Sequence, residues 1–235
     1  ILRCLVGSEM CIRDSLKLVG PQGLAYVVEG LRRIAPELPF PLELIELGKD
    51  TPNPLRLGEF EVSFCQADHM VRCYAYRIDV KRRGKFDPKK AEALGLPRPL
   101  WGKLQKEGAV EFEGKTYTPD MVLGAERPGI AMAYCTDSRP VDRLAHFAKG
   151  VQLFICEGMY GEEEKKPKAL EHKHMLFSEA ARLAKFAEAE ELWLTHFSPA
   201  LQEPAEFLQN ATDIFPNTLL GEERKMTTLY FPKEG

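Results

Sequence analysis

The sequence predicts an α/β layered domain, and the prediction rests on two observations. Short apolar runs rich in β-branched and aromatic residues alternate along the chain with helical patterns, which is the order expected of strands joined by helices. The chain has 235 residues, 44% of them hydrophobic and 29% charged. That length is enough for one sizeable core and too little for two large domains.

The first elements begin at residue 16. Residues 16–19 predict a short strand and Gly20-Pro21 a turn, and residues 23–34 predict a helix because apolar side chains recur there at helical spacing. Strands are then predicted in "LELIELG", "GEFEVSFCQA" and "VRCYAYRIDV". The last two alternate between apolar and polar residues, as half-buried strands do.

The second half of the chain repeats the pattern more strongly. A strand in "GIAMAYCTD" is followed by a short helix in "PVDRLAHFAKG", and a strand in "VQLFICEG" by a helix in "FSEAARLAKFAEAEE" that we expect Ser178 to open. "LWLTHFS" predicts the final core strand. Residues 81–120 differ from both halves, with much basic charge and several Gly and Pro, and are interpreted as an excursion from the core.

Composition excludes several classes of protein. The net charge of −3 does not suit a protein that coats nucleic acid generally. The sequence contains no run of eighteen apolar residues, so no transmembrane helix is predicted. No two cysteines form a CxxC pair, so the chain predicts reduced thiols in the cytoplasm rather than a disulfide framework or a thiolate zinc site. The six cysteines are Cys4, Cys11, Cys65, Cys73, Cys135 and Cys156.

The first fifteen residues, "ILRCLVGSEMCIRDS", fit poorly with the rest of the chain. They hold two of the six cysteines and show no sustained helical or strand period. They also resemble translated adapter read-through at the ends of assembled gene fragments. We interpret residues 1–15 as a non-native leader and residues 16–235 as the domain.

Three predicted strands end on a side chain that binds metals or transfers protons. "AMAYCTD" ends on Asp137, "VQLFICE" on Glu157 and "LWLTH" on His196. Ligands of α/β sheets gather at the carboxyl ends of strands. Two further candidates are His69, between two predicted strands, and His174, before the strong helix.

Each candidate also has a structural interpretation. A lone histidine at a strand end is more often a hydrogen-bonded structural residue than a metal ligand. In this interpretation Asp137 organises a turn or caps the helix after Pro140, and Glu157 is a solvated loop carboxylate. Their joint placement at three successive strand ends favours function. His146 is interpreted as structural, and His172 remains an alternative to His174.

Imidazole and carboxylate side chains suit zinc that keeps a position open for water. Two such ions a few ångströms apart suit in-line attack on phosphorus, and a histidine oriented by a glutamate can protonate the departing oxygen.

From residue 16 to about residue 231, the chain resembles ribonuclease Z, the tRNA 3′-end endonuclease family of the metallo-β-lactamase fold. The similarity runs in order through "DHMVRCYAYRIDVKRRGKFD", "AYCTDSRP", "ICEGMY", "HMLFSEAARLAKFA" and "LWLTHFSPAL". The resemblance implies an αββα sandwich with two Zn²⁺ ions per subunit, or Mn²⁺ or another divalent metal, in a cytoplasmic homodimer acting on precursor tRNA. It implies that His69, Asp137 and His196 bind metal, with Asp137 bridging, and that Glu157 and His174 donate the proton to the leaving oxygen.

Some motifs depart from the family pattern. "CTDS", "CEGM" and "HML" stand where the family has GDT, HEAT and HST. The HxHxDH loop, the family's main signature, is not among the 235 residues and would precede Leu16. We therefore expect a fold incomplete at the amino end, a general base outside this chain, and little or no cleavage by this chain alone.

The excursion at 81–120 resembles the family's inserted tRNA-binding arm. Lysine and arginine there would meet phosphates, which gives salt-sensitive affinity without reading sequence. The predicted substrate-binding residues are Lys81, Arg82, Arg83, Lys85, Lys89 and Lys90. Two alternatives stay open: a hydrolase of the same fold acting on another phosphodiester or ester, and a non-catalytic RNA-binding or dimerisation subunit.

Overall fold

The computed structural model describes residues 15–233, in which strands and helices alternate as the sequence predicts. Most of the predicted leader, with Cys4 and Cys11, lies outside the described residues. The strands are β1 (Leu16–Pro21), β2 (Leu42–Leu47), β3 (Leu55–Leu57), β4 (Phe60–Gln66), β5 (Tyr74–Arg82), β6 (Val110–Phe112), β7 (Lys115–Tyr117), β8 (Arg127–Cys135), β9 (Leu153–Glu157), β10 (Glu191–Thr195) and β11 (Thr218–Leu220). The helices are α1 (Leu24–Arg32), α2 (Pro88–Ala93), α3 (Arg98–Glu107), α4 (Asp142–Phe147), α5 (Lys166–His172), α6 (Phe177–Phe186) and α7 (Gln209–Thr212).

Seven strands form one mixed sheet in the order β11-β10-β9-β8-β5-β4-β3. Strands β8, β9, β10 and β11 run parallel to one another. On the other side of β8, each of the pairs β8–β5, β5–β4 and β4–β3 is antiparallel. Parallel strands covered on both faces are expected to be apolar along most of their length, as β9 and β10 are. The parallel arrangement brings the carboxyl ends of β8, β9 and β10 to one edge of the sheet.

The main hydrophobic core lies between this sheet and the helices α4 and α6. Small side chains on α6, such as Ala180 and Ala184, are fully buried, and so are Leu192 and Leu194 of β10. Alanines on the buried face of α6 let the helix backbone approach the sheet closely. The core therefore fixes the strand ends relative to the beginning of α6.

The prediction that Ser178 opens the strong helix is wrong. Helix α6 begins at Phe177, and Ser178 lies buried in its first turn with its hydroxyl accepting a hydrogen bond from Arg182 at 3.4 Å. The N–H of Leu176, which precedes the helix and has no backbone acceptor within it, donates to the carboxylate of Glu179 at 3.1 Å. A glutamate reaching back from the first turn thus takes the role predicted for the serine.

Residues 83–126 leave the main sheet and return to it between two neighbouring strands. Arg82 of β5 lies opposite Arg127 of β8, so the excursion starts and ends at the same place. The predicted bounds of 81–120 differ because β5 continues to Arg82 and β8 begins only at Arg127. We keep the name inserted arm for residues 83–126.

The inserted arm contains more regular structure than its sequence suggested. It holds α2, α3 and the β6–β7 hairpin, and Asp87 caps α2 by accepting from the N–H of Lys89 at 2.9 Å. Pro88 occupies the first turn of α2, where its missing N–H costs nothing. The arm has a core of its own, formed by Ala91, Leu96, Leu104, Tyr117 and Val122.

The first elements form a separate two-stranded parallel sheet of β1 and β2, connected by α1. Helix α1 has no buried residue and exposes several large apolar side chains. No helix in residues 15–233 is both long and apolar enough to cross a membrane. The exposed large apolar side chains of α1 are Tyr26, Val27 and Leu31, and Ile34 is exposed just after the helix ends.

Candidate metal centre

Three chemically active side chains meet at the carboxyl edge of the parallel strands. Glu157 is the last residue of β9, His196 directly follows β10, and Asp137 lies two residues beyond β8. The register pairs Thr195 with Glu157 and Cys135 with Cys156, so the three strands end at nearly the same level. Neighbouring parallel strands therefore bring together residues that are distant in sequence.

His69 and His174 join this group from two loops. The rings of His69 and His174 lie 5.1 Å apart between centroids, and those of His174 and His196 lie 5.5 Å apart. Asp137 Oδ1 is 3.4 Å from His196 Nε2 and 4.0 Å from His174 Nδ1. All five candidate residues thus form one cluster, whereas His172 and His146 are outside it.

Two of the clustered residues have left-handed backbone conformations. Asp137 has a φ of 48° and His196 a φ of 57°. Residues other than glycine adopt such angles at a cost that the surrounding structure must offset, and they occur often at functional sites. At both positions the strand ends and the chain turns sharply while the side chain stays at the sheet edge.

Hydrogen bonds fix the turn after His196. Gly158 N–H donates to Thr195 O at 2.8 Å, and Ser198 N–H donates to Met159 O at 2.9 Å. The chains leaving β9 and β10 are therefore bonded to each other beyond the sheet. This pairing explains why β10 stops at once at the sequence "HFSP".

Glu157 is completely buried and accepts hydrogen bonds from three directions. Its carboxylate accepts from the N–H of Ser138 and, at 3.0 Å, from the N–H of Met175. It also lies 3.1 Å from His174 Nδ1. Buried carboxylates are tolerated when their oxygens are satisfied in this way.

The pairing with Glu157 changes the acidity of His174. Its hydrogen bond to Glu157 raises the pKa of His174 above the ordinary value, and the negative charges of Glu157 and Asp137 act in the same direction. Burial of the ring opposes the rise by disfavouring the charged form. The site therefore favours holding a proton on this imidazole.

His69 carries an unsatisfied buried nitrogen. Its Nδ1 accepts from the N–H of Val71 at 3.4 Å, whereas its Nε2 is buried and has no hydrogen-bond partner in the described part of the chain. Unpaired buried polar atoms are rare and call for an explanation. A cation next to Asp137 would supply the missing partner, so the donor set fits a bound metal.

The cluster offers two overlapping sets of metal donors. In each set the candidate ligand atoms lie within 4.8 Å of one another. Histidine nitrogens with carboxylate oxygens suit zinc and other divalent transition metals. One set is His69, Asp137 and His174, and the other is Glu157, His174 and His196.

The sequence did not single out the residues that tie these donors together. Asp68, Ser138 and Arg139 connect the loop before β5, the end of β8 and the start of α6 through hydrogen bonds. Cys73 donates from Sγ to Asp137 O at 3.0 Å, and burial raises its pKa to about 11. In the sequence only "AYCTDSRP" points to this region, through its resemblance to the GDT-type turn, and that resemblance assigns a role to Asp137 and none to Ser138 or Arg139.

The predicted substrate-binding residues lie away from this cluster, in two groups. Lys81 pairs with Glu61 at 2.9 Å, and Arg82 donates to Pro232 O at 3.2 Å. Lys90 donates to Leu123 O at 2.6 Å. The group at the base of the inserted arm is Lys81, Arg82, Arg83 and Lys85, and the group on α2 is Lys89 and Lys90.

No protein-family model matches the chain. Among curated proteins, the chain is 50% identical over 223 residues to "Ribonuclease Z" of Clostridium acetobutylicum, covering 93% of this chain and 72% of that protein. It is likewise 50% identical over 223 residues to "Ribonuclease Z" of Lachnospira eligens, with 95% and 73% covered.

Two solved structures show the same fold at low sequence identity. The short form of human tRNase Z matches with a TM-score of 0.53 at 16% identity, covering 93% of this chain and 69% of that one. The metallo-β-lactamase fold protein YhfI from Bacillus subtilis matches with a TM-score of 0.54 at 20% identity, covering 88% and 63%. The fold is therefore the metallo-β-lactamase fold.

Proposed function

The chain belongs to the ribonuclease Z family, and from that premise we propose that it is a metal-dependent endoribonuclease that removes the 3′ trailer from tRNA precursors. The observation that supports this most directly is the cluster of His69, Asp137, His174 and His196. Within it, the buried Nε2 of His69 has no hydrogen-bond partner among the described residues. The relatives carry the name of the enzyme, and the cluster supplies the donor chemistry that such a reaction needs.

We assign metal binding to His69, Asp137 and His196 and propose zinc as the metal. Asp137 has one oxygen 3.4 Å from His196 and 4.0 Å from His174, so it would hold a metal ion beside the proposed proton donor. A divalent cation held there would supply Lewis-acid chemistry, lowering the pKa of water and neutralising charge on the phosphodiester. Imidazole and carboxylate ligands are those that zinc accepts in hydrolytic sites.

Proton donation is assigned to His174 with Glu157. Glu157 is buried and held by two backbone N–H groups, so it presents a fixed acceptor to Nδ1 of the imidazole. With Nδ1 bonded in this way, Nε2 is the atom that remains for transferring a proton to the departing 3′ oxygen. A general acid held in one orientation needs no reorganisation during the reaction.

The basic residues of the inserted arm are assigned to the tRNA backbone. Lys89 and Lys90 are exposed on α2, where phosphate contacts release counterions and make affinity depend on salt. Replacing both with glutamate should weaken tRNA binding and reduce the salt slope by about 2. Lys49→Glu, an exposed lysine outside the arm, should leave the slope unchanged.

We propose a homodimer in the cytoplasm. The exposed apolar side chains of α1 and of the turn that follows it, with Tyr26 83% and Ile34 88% exposed, support an association surface. The four described cysteines are free thiols, which suits a reducing compartment. Sedimentation velocity should show a dimer that Leu31→Glu converts to monomer, whereas Phe186→Glu, an equally exposed apolar position on α6, should not.

Cleavage of a 3′-extended tRNA precursor tests the function. The zinc-loaded protein is used in excess over end-labelled RNA, so that slow turnover is visible. Because the general base is expected outside this chain, we expect at most a slow single cut at the 3′ side of the acceptor stem, lost after chelation and in Asp137→Asn. Cleavage that persists in Asp137→Asn would contradict the assignment, as would tRNA binding without any zinc retained by the protein.

A further inference from the structure

The turn at the end of β8 connects two other segments of the candidate metal centre. Ser138 is fully buried, and its N–H donates to the carboxylate of Glu157. Its hydroxyl oxygen accepts from the N–H of Asp68 at 3.0 Å, while the N–H of Arg139 donates to the carbonyl of Asp68 at 2.9 Å. This turn therefore holds the loop between β4 and β5 and the end of β9 at the same time.

The side chain of Arg139 extends the connection to the start of α6. Its guanidinium donates to both oxygens of Glu179, at 2.8 Å and 2.6 Å, and one of the same nitrogens donates to the carbonyl of His174. The two ionic side chains are only 13% and 7% exposed. Arginine suits this position because its planar fork can satisfy a carboxylate and a carbonyl together.

These contacts hold His174 at two points. Its carbonyl is bonded to Arg139, and its ring lies 3.1 Å from Glu157. The residue follows the end of α5, and Lys173 before it has a left-handed φ of 58°. The N–H of His174 donates to Ala169 O of α5 at 2.9 Å, whereas its carbonyl accepts from Arg139, the contact that ties this backbone to the end of β8.

We propose that Arg139 is a positioning residue for His174, fixing its backbone so that the imidazole meets Glu157. The proposal rests on the proposed function, in which this pair donates the proton to the leaving oxygen. Arg139 is not offered as a phosphate ligand, because its guanidinium is largely buried and engaged by Glu179 and His174.

The tautomer of His174 in the metal-free protein tests the proposal without depending on catalysis. Nitrogen NMR at alkaline pH, where histidine is neutral, distinguishes protonation at Nδ1 from protonation at Nε2, and His174→Gln assigns the signals. In the wild-type protein we expect the Nδ1-protonated form, held by Glu157. In Arg139→Lys the ratio of this form to the other should fall about 2- to 10-fold, the factor that one hydrogen bond contributes.

Arg143→Lys is the matched control. Arg143 donates to Gln66 O at 2.8 Å but makes no bond to the loop of His174 among the described residues. The tautomer ratio of His174 in Arg143→Lys should therefore equal that in the wild type. An unchanged ratio in folded Arg139→Lys would overturn the proposal. If circular dichroism shows that Arg139→Lys does not fold, Glu179→Gln replaces it, because this variant weakens the bonds that hold the Arg139 guanidinium. The tautomer ratio should then fall in Glu179→Gln, and an unchanged ratio would likewise overturn the proposal.

Kinetics on the precursor RNA separate positioning from substrate contact. Arg139→Lys should lower kcat and leave KM unchanged, whereas a higher KM with unchanged kcat would make Arg139 an RNA ligand and overturn the proposal. If the wild-type protein neither retains zinc nor binds the precursor, the proposed function fails. The tautomer comparison still decides whether Arg139 orients His174.

Discussion

His196 Nε2 lies 3.4 Å from Asp137 Oδ1, and both residues adopt left-handed backbone angles at the ends of parallel strands. The two side chains approach each other because β8 and β10 flank β9 in one sheet. A backbone conformation that is unfavourable for both residues is thus combined with a close contact between two candidate metal ligands.

Loss of His196 should weaken metal binding. His196→Ala removes a nitrogen donor from one of the two donor sets, and we expect zinc affinity to fall by at least about 10- to 100-fold. Competition with a fluorescent chelator measures the affinity. His146→Ala, an exposed histidine on α4, should bind zinc as the wild type does, and equal affinity in the two variants would exclude His196 as a ligand.

The left-handed backbone at Asp137 predicts a difference between two variants that both lack the carboxylate. Asp137→Gly should be more stable than Asp137→Ala by about 1–2 kcal/mol, because alanine but not glycine is strained at a φ of 48°. Urea unfolding of the metal-free proteins gives both free energies. Alanine at least as stable as glycine would show that the turn relaxes.

Replacing the buried carboxylate should destabilise the metal-free protein. Glu157→Gln keeps the shape but turns one acceptor oxygen into a donor, which then faces the N–H of Ser138 or Met175. We expect the free energy of unfolding to fall by about 1–3 kcal/mol. Glu171→Gln, an exposed glutamate on α5, should change it by less than about 0.5 kcal/mol.

The raised pKa of His174 predicts a pH-dependent contribution to stability. The charged imidazole is favoured in the folded state, so its contribution is fully present below the ordinary pKa of 6.5 and is lost as pH rises through the higher folded value. The stability difference between wild type and His174→Gln should therefore shrink with rising pH in the presence of chelator. In the Glu157→Gln background, which removes the largest cause of the shift, the trend should weaken markedly.

Gly158 follows Glu157 where there is no room for a side chain. A Cβ there would lie 2.8 Å from the Phe177 ring and 3.3 Å from Leu194. Gly158→Ala should thus cost about 1–3 kcal/mol of stability by displacing the start of α6. Gly102→Ala in the middle of α3, where a Cβ meets nothing within 4 Å, should instead stabilise by about 0.5–1 kcal/mol. Thermal unfolding of the two variants checks both signs.

The order of strands and helices could be predicted from sequence because apolar periodicity is local. The meeting of Asp137, Glu157 and His196 was expected because ligands of α/β sheets gather at the carboxyl ends of strands. The roles of Asp68 and Arg139 could not be predicted in this way. Their partners are fixed only when three loops meet in space, and each partner looks like an ordinary polar residue in its own segment.

Tertiary packing, rather than local sequence pattern, decides the elements that differ from prediction. Ser178 has the side chain of a helix cap, yet the tertiary core buries it and Glu179 satisfies the helix start instead. In the inserted arm, helices of six and ten residues and a short hairpin are too brief for a clear period. Their stability comes from a small shared core rather than from local pattern.

The inserted arm enters and leaves the sheet through a single narrow junction. Phe86 pairs with Leu123, Gly124 N–H donates to Lys85 O at 2.7 Å, and a Cβ on Gly84 would lie only 2.3 Å from Gly124 O. Because the two ends of the arm are bonded to each other next to the sheet, residues can be added or removed at its tip for a small cost in loop entropy. The arm can therefore change in length or sequence while β5 and β8 keep their positions in the sheet.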